Sequence, residues 1–136
     1  YLQELKNLAK SLGVEQKVIW AGFKTDVPAV LRALDIFIMP SYKESFGKVL
    51  IEAMAMGVPV ISTDRGGPPE ILSHGECGLL VPPCESEPIA AAVVKYLESE
   101  KLRQEMIDKG RRKVEDYYSL TSVLDRLEAL YYETLA

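Results

Sequence analysis

Apolar positions along this chain fall into two rhythms that alternate. Leu2, Leu5, Leu8, Ala9 and Leu12 recur at helical spacing and stop at Gly13, a residue suited to a left-handed helix cap. The run Val18–Phe23 (VIWAGF) is short, apolar, and rich in β-branched and aromatic residues, as a strand requires. Asp26 then caps a helix over VPAVLRAL, with Pro28 in its first turn. Strand and helix alternate three more times. DIFIMPS (35–41) precedes GKVLIEAMAMG (47–57), whose helix ends at Gly57 before Pro59. PVISTD (59–64) precedes GGPPEILSHG (66–75), and CGLLVPP (77–83) precedes ESEPIAAAVVKYLES (85–99). From about residue 101 the pattern is helical only, in 101–118 and 121–136, with Ser119 or Thr121 capping the last segment.

Strands without polar alternation, separated by helices, are what a parallel sheet buried on both faces requires. The expected fold is therefore α/β: a Rossmann-like parallel sheet of about four strands with helices on both faces. With 136 residues, 48% hydrophobic and 26% charged, the chain is long enough for one domain, 1–136, with its own core. The longest apolar stretches, Ala53–Val60 and Ile89–Val94, fall far short of the roughly 20 residues that cross a bilayer. No membrane span is expected.

A net charge of −4 with scattered basic residues does not support a nucleic-acid footprint, and Arg111–Lys113 reads as a solvated helix face. Cys77 and Cys84 read as thiols in a reducing compartment rather than a bridge, which points to a cytoplasmic location. One histidine and two cysteines give no structural zinc set, and no metal is expected. His74 reads as a surface or capping residue, Trp20, Met54 and Met56 read as core, and Tyr117, Tyr118, Tyr131 and Tyr132 read as anchors of the terminal helices. Tyr1 opens directly on a helical pattern, without an initiator Met or signal-peptide order, as an internal start would.

In open parallel sheets, ligands bind at the carboxyl ends of the strands. Two loops there carry unusual chemistry. In YKESFG, Ser45 is placed to cap the following helix, leaving the amides of Phe46, Gly47 and Lys48 facing an anion. Glu44 lies just before that helix and Glu52 about 10 Å along it, at about 1.5 Å per residue, so their carboxylates can accept from hydroxyls at separate points of an extended ligand. A plainer reading has Glu44 complementing the helix dipole and Glu52 solvated. The second loop, Asp64–Glu70, leaves its strand through Gly66 and Gly67 and enters a helix through prolines, a rigid turn open to close approach. Its plainer reading is an ordinary glycine turn with Glu70 at a positive helix end.

Residues 35–82 resemble the C-terminal half of GT-B-fold retaining glycosyltransferases, the group that includes glycogen-synthase-like enzymes, sucrose synthases and bacterial mannosyltransferases. The resemblance rests on Glu44 and Glu52 with seven residues between them, combined with SFG, EAMA, GVPV and GGPPE. It extends more loosely from VIWAGF to the terminal helices. It implies an incomplete GT-B donor domain that binds a nucleotide-diphosphate sugar and, in its parent, transfers the sugar to an acceptor hydroxyl with retention. Glu44 would be the catalytic-site carboxylate touching hydroxyls of the transferred sugar, and Glu52 would hold the ribose. The Phe46 and Gly47 amides would receive the distal phosphate, with Ser45 and Lys48 as assisting neighbours. Gly66, Gly67 and Glu70 would line or brace the facing wall.

The resemblance implies no metal or other cofactor. It places the cationic clamps for the diphosphate upstream of Tyr1, so the isolated segment is expected to be inactive. The family's sheet order, 3-2-1-4-5-6, would leave this chain with strands 3, 4, 5 and 6 only. VIWAGF would then lack its neighbour, so it is expected either to pair with DIFIMP or to be completed by a homo-oligomer or strand-swapped dimer. The alternative function is a non-catalytic nucleotide-sugar-binding or scaffold module of the same fold. An epimerase of that fold is a third reading, but it would need carboxylates and histidines not found here.

Overall fold

The computed structural model describes residues 1–135. Its sheet has three parallel strands in the order β1 (Phe37–Met39), β2 (Val60–Thr63), β3 (Leu79–Val81). Phe37 pairs with Val60 and Ile61 with Leu79, which fixes both registers. The strands are linked by α3 (Lys48–Ala55) and α4 (Pro68–Ile71), following α1 (Leu2–Ser11) and α2 (Val27–Arg32). After β3 come α5 (Ser86–Glu98), α6 (Glu100–Lys113), a π-helical turn at Val114–Tyr118 and α7 (Leu120–Leu135).

β2 is the buried middle strand, and side-chain alternation sends its residues into two separate cores. Val60 packs with Leu50, Met54, Ile71 and Leu72 on the side of α3 and α4. Ile61 packs with Val81, Ala92, Tyr96 and Met106 on the side of α5 and α6. Tyr96 is fully buried, and its hydroxyl donates to the Val60 carbonyl at 3.0 Å. Burial pushes that phenol far above its ordinary range.

Local chemistry sets most helix ends as expected. Asp26 accepts from the Ala29 amide (3.0 Å), and Ser119 Oγ accepts from Ser122 (3.2 Å), so Ser119 rather than Thr121 caps the last helix. Gly13 and Gly57 take left-handed φ of +67° and +73° where α1 and α3 end. Arg111 is exposed, as a solvated face requires, and its guanidinium lies over Gly57 at the end of α3, where it complements the helix dipole. Both cysteines are free thiols.

Three expectations fail. The sheet has three strands, not four: Val18–Phe23 follows a 3-10 turn (Glu15–Lys17) as irregular chain, pairs with neither β1 nor any other strand, and leaves Ile19 and Phe23 at least 90% exposed. A strand needs a hydrogen-bonding neighbour, and none lies beside this segment. Trp20, on the same segment, is consequently 40% exposed rather than core. Tyr131 and Tyr132 anchor nothing within the chain, because α7 buries no residue against the rest.

Candidate functional site

The site forms where β1 and β2 end. Beyond the ladder, Ser62 Oγ donates to the Met39 carbonyl (3.2 Å) and Thr63 Oγ1 to the Ser41 carbonyl (2.7 Å). Both hydroxyl residues are buried, so these bonds satisfy polar groups that would otherwise be costly there and draw the two exit loops to one edge. The loops then pair again. Glu44 and Gly66 form an isolated parallel bridge, and the Gly67 amide donates to the Glu44 carbonyl at 2.9 Å.

The two glycines make this contact possible, and the close approach is of the chain to itself. A Cβ on Gly66 would run into the Glu44 backbone, and one on Gly67 would lie 2.5 Å from the Phe46 carbonyl oxygen and 2.8 Å from that of Ser45. Gly66 and Gly67 therefore brace the wall carrying Glu44, Ser45 and Phe46.

Gly47, not Ser45, is the N-cap of α3, and no side chain caps the helix. Gly47 is buried at φ +94°, and a Cβ there would press on Leu50 and Met39 at 3.2 and 3.3 Å. The left-handed turn replaces side-chain capping and leaves Ser45 exposed. The Phe46 amide is already engaged by Glu44 Oε1 at 3.3 Å. Among the described residues, the amides of Gly47, Lys48 and Val49 have no hydrogen-bond partner. The open donors at this eight-residue helix's positive end are thus one position further along than expected.

Glu44 is half-buried beside this terminus. One turn into α3, Glu52 Oε1 lies 3.3 Å from Nζ of Lys48, the helix's first residue; the pair is exposed enough to leave Glu52 available to another partner. Glu70 projects from the first turn of α4 near Tyr118, whose phenol is raised by partial burial and then by the Glu70 carboxylate. The Phe46 ring meets Tyr118 edge-on, with centroids 6.5 Å apart and planes at 77°. The turn before α7 therefore supports the loop that carries the site. His74 stands apart from the site, exposed at φ +54°. Among the described residues, no three His, Cys, Asp or Glu side chains converge as a metal site would require. No helix there is long and apolar enough to cross a membrane.

This arrangement of an open helix terminus between two carboxylates, on the carboxyl edge of a parallel sheet, sits inside a family match. The model of glycosyl transferases group 1 matches residues 1–113. The chain belongs to that family. It is 35% identical over 128 residues to the N-acetyl-alpha-D-glucosaminyl L-malate synthase of Bacillus anthracis, covering 94% of this chain and 34% of that protein. Anabaena Alr3699/HepE, solved in complex with UDP, superposes with a TM-score of 0.91 at 27% identity over 98% of this chain and 37% of its own. The C-terminal domain of a group 1 glycosyl transferase (LpcC) from Francisella tularensis gives 0.78 at 36% identity, covering 87% of this chain and 62% of that one. The chain thus spans about a third of the curated relative, and its fold is part of a GT-B glycosyltransferase.

In this group 1 glycosyltransferase chain, the structure brings Glu44, Phe46, Gly47, Gly66 and Gly67 into one assembly, with Glu52 and Lys48 along α3 and Glu70 on the facing helix. Sequence reasoning missed Tyr118, which carried no local signal for its place beneath Phe46.

Proposed function

We propose that this chain is the donor-binding part of a glycosyltransferase that moves a sugar from a nucleotide-diphosphate sugar to an acceptor hydroxyl, with retention of anomeric configuration. The observation that carries the reading is the open N-terminus of α3. Three free amides and the helix dipole offer a seat for a phosphate, and Glu44 and Glu52 stand on either side to accept from hydroxyls. In this reading Glu44 contacts the transferred sugar and Glu52 the ribose. The Gly47 amide, with Lys48 and Val49 beside it, receives the distal phosphate. Ser45 and Phe46 form the rim, while Gly66, Gly67 and Glu70 hold the facing wall.

Fixed donors aimed at a departing diphosphate stabilise the charge that develops as the glycosidic bond breaks. Glu44 acts by orienting the sugar against that terminus. The reading needs no metal, and it includes a cytoplasmic location, supported by two free thiols.

The test is a titration of the labelled chain with UDP-, GDP- and ADP-sugars, following amide resonances. Millimolar binding is expected, with shifts at Gly47, Lys48 and Val49 that vanish for the free sugar. An absence of shifts at millimolar ligand, or shifts confined to other segments, sinks the reading.

A further inference from the structure

Two cations that the donor-binding reading leaves unused stand together beside the site. Lys43 precedes Glu44 and Arg65 precedes Gly66, and Glu44 and Gly66 are parallel bridge partners. The bridge draws the two loops together, and Tyr42, Lys43, Arg65 and Gly66 line a single basin of 170 Å³. That is smaller than the roughly 300–1,000 Å³ of a pocket for a drug-sized ligand and suits one small group.

The electrostatics of the basin favour an anion. No carboxylate among the described residues lies within ion-pair distance of Lys43. Arg65 Nε lies 3.5 Å from Oδ1 of its neighbour Asp64, an exposed pair that leaves the rest of the guanidinium fork open. Glu44 and Asp64 are the acids next in sequence to these cations, and the Glu44 carboxylate is engaged elsewhere, its Oε1 accepting from the Phe46 amide at 3.3 Å. Two adjacent like charges around a concavity, in a chain of net charge −4, concentrate anions locally. Tyr42, exposed beside them, adds an aromatic wall.

We propose that this basin receives a single anionic group, a carboxylate or phosphate monoester, borne by one of the two substrates of sugar transfer. The identity of the bearer rests on the donor-binding reading; the anion site itself does not.

The experiment follows amide shifts of the chain at fixed ionic strength with five probes: glucose, glucose 6-phosphate, glucuronate, UDP-glucose and UDP-glucuronate. The acidic sugars are expected to shift Tyr42–Glu44 and Arg65–Gly66, while glucose is silent. Lys43→Gln and Arg65→Gln should each weaken that binding about three- to fivefold, the range of a partly exposed charge pair. Because both side chains are exposed, the variants should keep the wild-type spectrum elsewhere. A preference for UDP-glucuronate over UDP-glucose that disappears in both variants places the group on the donor. Shifts from the free acidic sugars with no such preference place it on an acceptor. Acidic probes that shift only Gly47–Val49, bind both variants as tightly as the wild type, or shift nothing overturn the proposal. UDP-glucose shifts at Gly47–Val49 report on the donor reading separately, so either can fail alone.

Discussion

Gly67→Ala separates two accounts of the double glycine, because they predict opposite signs. Gly67 sits at φ −76°, a conformation any residue adopts. If the glycine served only chain flexibility, alanine would stabilise the fold by about 0.4–1 kcal/mol through the unfolded state. The structure predicts a loss instead. The new Cβ would lie 2.5 Å from the Phe46 carbonyl oxygen, 2.7 Å from Phe46 Cα and 2.8 Å from the Ser45 oxygen, all of them backbone atoms. The loops would have to part by about 0.5 Å, an overpacking that costs about 1–3 kcal/mol.

Parting the loops also strains the Gly67–Glu44 hydrogen bond, now 2.9 Å, worth about 1 kcal/mol net. A loss of about 2–3 kcal/mol in urea unfolding is expected, together with weaker UDP-sugar shifts at Gly47–Val49. Gly13→Ala is the contrast: φ is +67° with open space around it, so left-handed strain alone should cost about 1–2 kcal/mol and leave the site untouched. A Gly67→Ala chain as stable as the wild type, or more so, refutes the stitching of the two loops.

Glu52→Gln should lower UDP-sugar affinity about three- to tenfold by calorimetry, through a weakened hydrogen bond to ribose. Its unfolding free energy should stay within about 0.5 kcal/mol, since the Lys48 pair is exposed. The buried Tyr96 phenol is raised above its unfolded value of 10.0, so its contribution is whole below pH 10 and is lost as pH climbs from there toward the folded value. Chemical denaturation should show stability falling above pH 10 with a limiting slope of about 1.4 kcal/mol per unit. Tyr96→Phe should flatten this slope, at a cost of about 1 kcal/mol for the lost hydrogen bond to the Val60 carbonyl. Leu124→Ser on α7 should change global stability by less than about 0.5 kcal/mol, and a loss above 2 would show that α7 packs against the domain.

The legible parts of the fold were those set by near neighbours. Asp26, Ser119, Gly13 and Gly57 mark helix ends through contacts within four residues, and the strands around Ile38, Ile61 and Leu80 show as apolar runs between turns. Val18–Phe23 has the same composition as those strands but no adjacent edge to bond, which no local property reports. The wiring of the loops after β1 and β2 was misread. Ser45 has the chemistry of a cap, yet pairing of Glu44 with Gly66 fixes the preceding backbone, so the chain enters α3 through a left-handed Gly47. Tyr118 reaches Phe46 across more than seventy positions, and nothing between them signals the contact.

The hydrogen bonds between the loops after β1 and β2 bear on what nucleotide binding costs. A binding loop that must first be ordered loses about 0.5–1.5 kcal/mol of affinity for each side chain it immobilises. Here the two walls are bonded to each other through backbone, without any ligand, so that entropy has already been spent in folding. Residues 41–48 and 64–70 should behave as one rigid body, and any movement that accompanies binding falls to segments outside them. Slow hydrogen exchange at the Gly67 amide in the ligand-free chain would register that rigidity directly, and exchange at loop rates would deny it.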